Sequence, residues 1–506
     1  MKNRNTGIVL SYVNTVLNMI LGLFMSTFLL RRLGDTDYGI YQTVSSFVNY
    51  LVLLEFGTGA IMVRNISLCR SRNVSKEELE RNISTIWSIG NMLAALILVV
   101  SVIFYFSIDR IYSVSLLPEQ ITYAKNIFVF AAANLIISFL WQTLKSVALG
   151  FEDYTFSSKL SIIKLLLRTV LLVALLMPFK SSIVVAIVDA FLSFAIFVYT
   201  YAYCVRRFKV KINFSSFDSL ILKSMLPLCL AVFLQAIMTQ ANNNVAKFVI
   251  GILMNPETVS LYSVGLYIFS VCNSITYLPA GIYAPQTAKV VTQSGSDGAK
   301  MTDFMVQPAR LILIVGGSIV FGFIAAGKPF INLVYGSQYI QAWLVAILLM
   351  LPLVFIGPSS LVENILNVLN KRLVRSIILV GTTVINIFLT IFFIGKFGVV
   401  GAAFSTGFCN FLGLAILSNI YYVKAIKIKI FHLYRMCYKG ILLYQIFGAV
   451  FGYWISVSIP NQVVAFLAGG CLYVLIAFGG FILFGMNESE KQMLKATVTR
   501  LRRKNR

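Results

Sequence analysis

Two cations four residues apart, Lys164 and Arg168, stand inside the apolar run "LSIIKLLLRTVLLVALL" (160–176). Residues i and i+4 share one face of a helix, so the two charges form a strip. At 1.5 Å per residue, Arg168 lies about 12 Å in from Leu160. That is deep for a side chain that must reach headgroup water. A charge at such depth costs roughly 2.5–3.5 kcal/mol on insertion scales. It therefore needs a counter-ion or a wet cavity. Glu55, Asp189 and Glu363 lie in other apolar runs and are the candidate ion-pair or coupling groups. Two readings stay open: a buried ion pair that holds helices together, or a cationic strip aimed at an anionic ligand.

A second polar constellation is "TQANNNVAK" (239–247). Asn242, Asn243 and Asn244 together span most of a helix circumference, so at least one faces water or breaks the helix. With Lys247 they make a hydrogen-bonding, anion-attracting surface. The alternative is ordinary interhelical bonding, about 1 kcal/mol per contact. Asn14, Asn18 and Gln235 are further polar positions in apolar runs. Lys125, Lys145 and Lys223 lie near run ends, where snorkelling explains them.

These groups sit in a chain of 506 residues that is 58% hydrophobic and 12% charged. Its mean hydropathy is +0.86. A soluble protein carries about 25% charged residues, so the composition is that of a membrane protein. The net charge of +24 does not indicate nucleic-acid binding. Its cations fall in short connections rather than on one solvated face. Seven cysteines without a C-x-x-C pair and a single histidine, His432, give no zinc or redox motif. No phosphate-binding loop is present, so an ion gradient rather than ATP is the expected energy source, with no cofactor.

Fourteen segments are long and apolar enough to span: 7–30, 39–61, 83–106, 121–149, 160–178, 183–203, 220–250, 259–285, 308–328, 342–368, 376–395, 400–421, 440–459 and 463–485. The first is too long for a signal-peptide core. The even-numbered connections and the tails hold thirty Lys and Arg, counting Arg310 with the connection before span nine; the odd-numbered connections hold six. The positive-inside rule then places both termini in the cytoplasm. All outer connections are short, and no soluble domain is expected.

The polar stretch "LGDTDYGIY" (33–41) between spans one and two recurs. Shifted by 221 residues it falls on "MNPETVSLY" (254–262), between spans seven and eight. The same shift puts Asn14 on Gln235 and Asn18 on Thr239. Six spans separate the copies, so the halves are parallel repeats, which place a pathway at their interface.

"RRLGDTDYGIYQ" (31–42), "LEFGTGAIMVR" (54–64), "LGFEDYTFSSKLSIIKLLLR" (149–168), "KFVIGILMNPETVSLYSVGLY" (247–267), "NVLNKRLVRSIILVGTTVINIFLT" (367–390) and "KFGVVGAAFSTG" (396–407) carry a resemblance. In this order and spacing the chain resembles the Wzx-type flippases of the polysaccharide transporter family. These belong to the multidrug/oligosaccharidyl-lipid/polysaccharide exporter superfamily. The resemblance implies an all-α integral membrane protein with two six-helix lobes in a V-shaped parallel repeat. The lobes would be 1–210 and 211–425, followed by two trailing helices and a basic tail over 426–506. It implies alternating access and translocation of an undecaprenyl-pyrophosphate-linked oligosaccharide from inner to outer leaflet of a bacterial plasma membrane. Membrane lipids, glycosyltransferases and a polymerase of the same pathway are the implied partners; nucleic acid is not. The 33–41 stretch is then an outer hinge with no chemistry of its own.

Three rivals remain at this stage. A multidrug or cation antiporter of the same superfamily would use buried carboxylates, and spans one and seven contain none. A lipid II flippase differs only in the headgroup carried. A polysaccharide polymerase or ligase would need a catalytic outer loop.

The topology has a direct test. Single cysteines replacing Asp35, Glu119 and Glu257 in a cysteine-free background should react with impermeant thiol reagents from outside. Cysteines replacing Lys76, Lys209 and Lys371 should not. Labelling at 209 without labelling at 257 would invert the orientation.

Overall fold

Hydrocarbon offers no hydrogen bonds, so each spanning segment must satisfy its own backbone, and an α-helix does so locally. The computed structural model describes residues 2–55, 57–208, 233, 240, 244–294, 297–369, 371–487 and 490–491. Among these there are helices and no strand: the protein is an all-α integral membrane protein. The first half contains α1 (Lys2–Leu33), α2 (Asp35–Leu51), α3 (Thr58–Ser71), α4 (Lys76–Ile111), α5 (Pro118–Gly150), α6 (Tyr154–Leu176), α7 (Ser182–Phe208) and α8 (Asn244–Leu253). Then follow α9 (Pro256–Ser294), α10 (Gly298–Val334), α11 (Gln341–Ile356), α12 (Val362–Val368), α13 (Leu373–Asn410), α14 (Ser418–Ile426), α15 (Ile430–Tyr438), α16 (Leu442–Ser458) and α17 (Gln462–Gly480).

Ten stretches of the described residues are long and apolar enough to cross a membrane, and eleven if the bent pair α15–α16 counts as one span. The difference from fourteen has physical causes. The 23-residue α6 fails on charge, because Lys159, Lys164 and Arg168 all lie within it. Spans eleven and twelve run together as α13, yet Gly398 is non-helical within it (φ 58). Ser405 Oγ donates to Asn386 Oδ1 at 2.8 Å and Thr390 Oγ1 to Ser405 Oγ at 3.0 Å, across that break. The two arms are therefore antiparallel neighbours, joined by hydroxyls and small residues as membrane helices commonly are. Most of span seven lies outside the described residues.

The chain forms two compact units, Met1–Ser263 and Val264–Arg506. The first has its core where α2, α4, α5 and α7 meet, around Ile40, Val44, Ile97, Phe128 and Ala186. Span two is not one helix. A 3-10 turn, Val52–Glu55, ends α2, and Gly57 (φ 71) starts α3. A left-handed backbone there costs a glycine little and any branched residue much.

The turn between spans one and two is a sharp break rather than a loop. Helix α1 ends at Leu33 and α2 begins at Asp35, with Gly34 at φ 80 between them. The Asp37 carboxylate accepts from Tyr123 Oη (2.9 Å), from Ser182 N (3.1 Å) and from Ser182 Oγ. It thus fixes α2 to α5 and to the first turn of α7, where a carboxylate suits the helix dipole. Thr36 Oγ1 donates to Glu257 Oε1 at 2.5 Å, and these two residues are 221 apart in the chain. A residue that touches its own repeat image is what an axis between two copies of the turn requires. Beside this pair, Gly39 lies so close to the Pro256 backbone that a Cβ would collide with it.

The second unit is built around α10, which packs against α11, α15, α16 and α17. Arg310 of α10 is 1% exposed. Its Nε and Nη2 donate to the two carboxylate oxygens of Glu490 at 2.7 and 3.0 Å. The remaining donors reach the carbonyls of Met436 (2.8 Å), Lys439 (3.0 Å) and Gly485 (2.8 Å). Sequence counting treats Arg310 as a connection cation; the structure buries it as a clamp. The reason is that one guanidinium fork can satisfy carbonyls left open at the ends of α15 and of the last span together with an acid from the tail.

Replacing Arg310 by Met should strand Glu490 and three carbonyls, a loss of about 3–5 kcal/mol. Thermal melts followed by size exclusion should show early loss of the monodisperse peak, with Arg310→Lys intermediate. An unchanged melting point for Arg310→Met would mean that the clamp contributes nothing.

Candidate functional site

Helices α5 and α6 of the first unit carry three cations, Lys145, Lys164 and Arg168, and each is met by a different kind of partner, two of them on α7. Arg168 pairs with Asp189 through two parallel bonds, Nε to Oδ1 at 2.5 Å and Nη2 to Oδ2 at 2.9 Å. Tyr41, from the 33–41 stretch, bonds through its hydroxyl to Arg168 and Ser45. The Arg168 side chain remains 30% exposed and that of Asp189 17%, so the pair borders open space rather than a sealed core. One turn away, Lys164 Nζ donates to Ser193 Oγ (3.0 Å) and lies 4.3 Å from the Trp141 ring centroid. Ser193 in turn donates to Asn134 Oδ1 (2.6 Å) and contacts Ser138 (3.0 Å). Lys145 Nζ donates to Ser161 Oγ (2.9 Å) and lies 5.2 Å from the same indole. Trp141 Nε1 is fixed on Thr200 Oγ1 at 3.1 Å. One indole thus stands between two ammonium groups, and its face attracts both.

Of the three acids considered for Arg168, the structure selects Asp189. Glu363 belongs to the second unit, where it pairs with Arg372 (3.1 Å) and Arg375 (3.2 Å). Glu55 sits at the break in span two and makes no hydrogen bond or ion pair with another described residue. Lys145 departs from the snorkelling expectation: its amine turns inward to Trp141 and Ser161. Lys125 fits that expectation, pairing at 2.5 Å with the exposed Asp109.

Lys247 is 7% exposed and donates to Gln42 Oε1 at 3.1 Å. Asn244 accepts from Asn49 Nδ2 (3.4 Å) and donates to Gln240 (2.8 Å). These contacts form a polar seam between α2 and α8. Asn18 bonds back to Asn14, to its carbonyl at 2.9 Å and its side-chain oxygen at 3.1 Å, so these two amides serve α1 itself. Gln235, Asn242 and Asn243 lie outside the described residues. The α2 residues Tyr41, Gln42 and Asn49 and the partners Asn134, Trp141 and Ser193 carry no charge and do not stand out in the sequence. Their signal is local: Gln42 and Asn49 stand one heptad apart on α2, and Trp141 precedes Lys145 by four.

Among the described residues these contacts give the three cations one carboxylate: Asp189 pairs with Arg168, while Lys145 and Lys164 meet the hydroxyls of Ser161 and Ser193. Such a wall attracts anions, and the flanking hydroxyls, amides and indole suit a polyhydroxylated ligand.

Residues 4–291 match the family described as polysaccharide biosynthesis protein. The chain belongs to the polysaccharide biosynthesis protein family. No curated protein matches its sequence. Among solved structures, the lipid II flippase MurJ in an inward closed conformation superposes with a TM-score of 0.65 at 18% identity. That match covers 94% of this chain and 99% of MurJ. An inward-facing multidrug resistance MATE family transporter of the MOP superfamily gives 0.66 at 16%, over 84% and 99% of the two chains. A MOP superfamily transporter from Pyrococcus furiosus, whose binding pocket is described as of reverse polarity, gives 0.54 at 15%, over 84% and 99%. At these identities the likeness establishes the fold. This member of the polysaccharide biosynthesis family has the fold of MOP-superfamily transporters.

Arg168→Ala should leave the half-buried Asp189 without its partner and lower membrane abundance, by less than the roughly 3–5 kcal/mol of a fully buried pair. Adding Asp189→Asn should restore abundance. Normal abundance of Arg168→Ala alone would show that the pair does not hold α6 to α7.

Proposed function

We propose that this protein moves an anionic, lipid-linked oligosaccharide, carried on undecaprenyl pyrophosphate, from the inner to the outer leaflet of a bacterial plasma membrane. It does so by alternating access, as a step in cell-surface polysaccharide biosynthesis. The observation that carries this reading is the cation excess of Lys145, Lys164 and Arg168 over Asp189 on one wall of the first unit. A pyrophosphate would meet the ammonium groups, and sugar hydroxyls would meet Ser193, Asn134 and the Trp141 face. Family membership and the fold shared with MurJ and MATE transporters support the same reading. An antiporter of cationic drugs is disfavoured by this wall, because like charge repels such a ligand.

In this scheme the termini are cytoplasmic and an ion gradient drives the cycle. The lobes 1–210 and 211–425 alternate, with 426–506 trailing. Glycosyltransferases make the substrate and a polymerase consumes the product. The Thr36–Glu257 contact closes the outer side and must open once per cycle.

Lys164→Gln should lower surface polysaccharide at least about tenfold at normal membrane abundance, with Lys164→Arg retaining most export, since a hydrogen bond to a charged group contributes roughly 1.5–3 kcal/mol. In the same assay, a disulfide between Thr36→Cys and Glu257→Cys should stop export until it is reduced. Full export with Lys164→Gln would remove the anion-binding role, and full export through the closed disulfide would remove alternating access at this turn.

A further inference from the structure

The last turns of α7 carry a feature that the transport reading does not use. Tyr199, Ala202, Tyr203, Arg206 and Arg207 line a groove of about 420 Å³. Tyr199, Ala202 and Arg206, and beside them Tyr203 and Arg207, follow at three to four residues and so form two adjoining rows on one side of the helix. Tyr203 is held in place: its hydroxyl donates to Asp153 Oδ2 at 2.7 Å, and its ring stacks on Phe156 with centroids 3.7 Å apart at 4°. Asp153 is already committed, since it also caps α6 by accepting from Phe156 N at 3.1 Å. Arg206 and Arg207 are exposed and make no hydrogen bond or ion pair with a described residue.

The groove continues into an apolar track. Phe191, Phe194 and Val198 lie on the same side of α7 and are 64%, 54% and 48% exposed. Tyr199, 57% exposed, stands where the track meets the groove. From Phe191 to Arg206 the helix rises roughly 22 Å, somewhat more than the ~15 Å of one leaflet's hydrocarbon. One stripe thus offers an acyl surface, then an aromatic shelf at interface depth, then two guanidinium groups that no described carboxylate pairs with.

We infer that this stripe is a binding site for an anionic bilayer phospholipid, with the phosphate on Arg206 and Arg207 and one acyl chain along Phe191–Val198. Charge complementarity selects an anionic headgroup over a zwitterionic one, because the described residues that line the groove include two arginines and no carboxylate. Aromatic side chains and arginines at a helix end are the usual elements of an interfacial lipid contact. What distinguishes this end of α7 from ordinary snorkelling is the preformed groove with its stacked Phe156–Tyr203 floor. The groove borders the outward apolar track and is lined by none of the residues around Lys164 and Arg168, so the occupant is a structural lipid rather than the transported one.

The test is native mass spectrometry of the full chain, purified with phosphatidylglycerol or phosphatidylcholine of matched acyl chains. Phosphatidylglycerol should be retained preferentially, and Arg206→Gln/Arg207→Gln should reduce that preference by up to about thirtyfold, or roughly fivefold per arginine. Arg206→Lys/Arg207→Lys should keep part of it, since charge remains and the planar fork is lost. The matched control is Arg31→Gln/Arg32→Gln, an adjacent arginine pair at the end of α1. Equal retention of the two lipids would overturn the site, as would an equal effect of the control pair. Displacement of phosphatidylglycerol by undecaprenyl phosphate at stoichiometric concentration would also overturn it, by making the groove a station for the transported lipid. None of these readouts depends on transport activity.

Discussion

An arginine in the middle of an apolar helix obliges the surrounding protein to supply what water cannot. Arg168 is the case on which the first unit is organised. Its fork takes both oxygens of Asp189, and that pairing sets the rotation of α6 against α7. With the rotation fixed, Lys164 one turn along the same face must meet α7 one turn further on, at Ser193, and α5 at Trp141. The i, i+4 geometry of one helix thus propagates into a ladder across three. Because Asp189 neutralises only one cation, the ladder keeps a net positive face.

The same rule operates in the second unit with a different outcome. Arg310 is enclosed almost completely, and every donor group finds an acceptor within 3.0 Å. Arg168 is left partly open. One arginine closes a structure, while the other borders a space. The difference lies in exposure, 1% against 30%, and not in residue type or hydropathy of the flanking sequence.

The turns at 33–41 and 254–262 meet in space. Two stretches 221 residues apart would merely resemble each other if they lay far apart. Instead Thr36 bonds its own image, Glu257, and Gly39 lets the Pro256 backbone approach. Small contacts of this kind are cheap to break. The Asp37 network beside them, spanning α2, α5 and α7, is more extensively bonded and ties these helices of the first unit together.

By itself the sequence determined the helical class, the many apolar spans, ten or eleven of which are seen among the described residues, and the strip of Lys164 and Arg168. All of these follow from local rules: hydrophobic length, loop charge and the 3.6-residue period act within one segment and leave a linear trace. Three candidate acids for Arg168 were equivalent in the sequence, since nothing local says which helix lies alongside. Only the packing of α6 on α7 chose Asp189 and sent Glu363 to Arg372 and Arg375. Arg310 reads as a loop cation because its partners, Met436, Lys439, Gly485 and Glu490, lie more than a hundred residues away. The break at Gly57 and the indole between Lys145 and Lys164 likewise depend on neighbours in space. Long-range partners satisfy buried polar groups, and only tertiary structure brings them together.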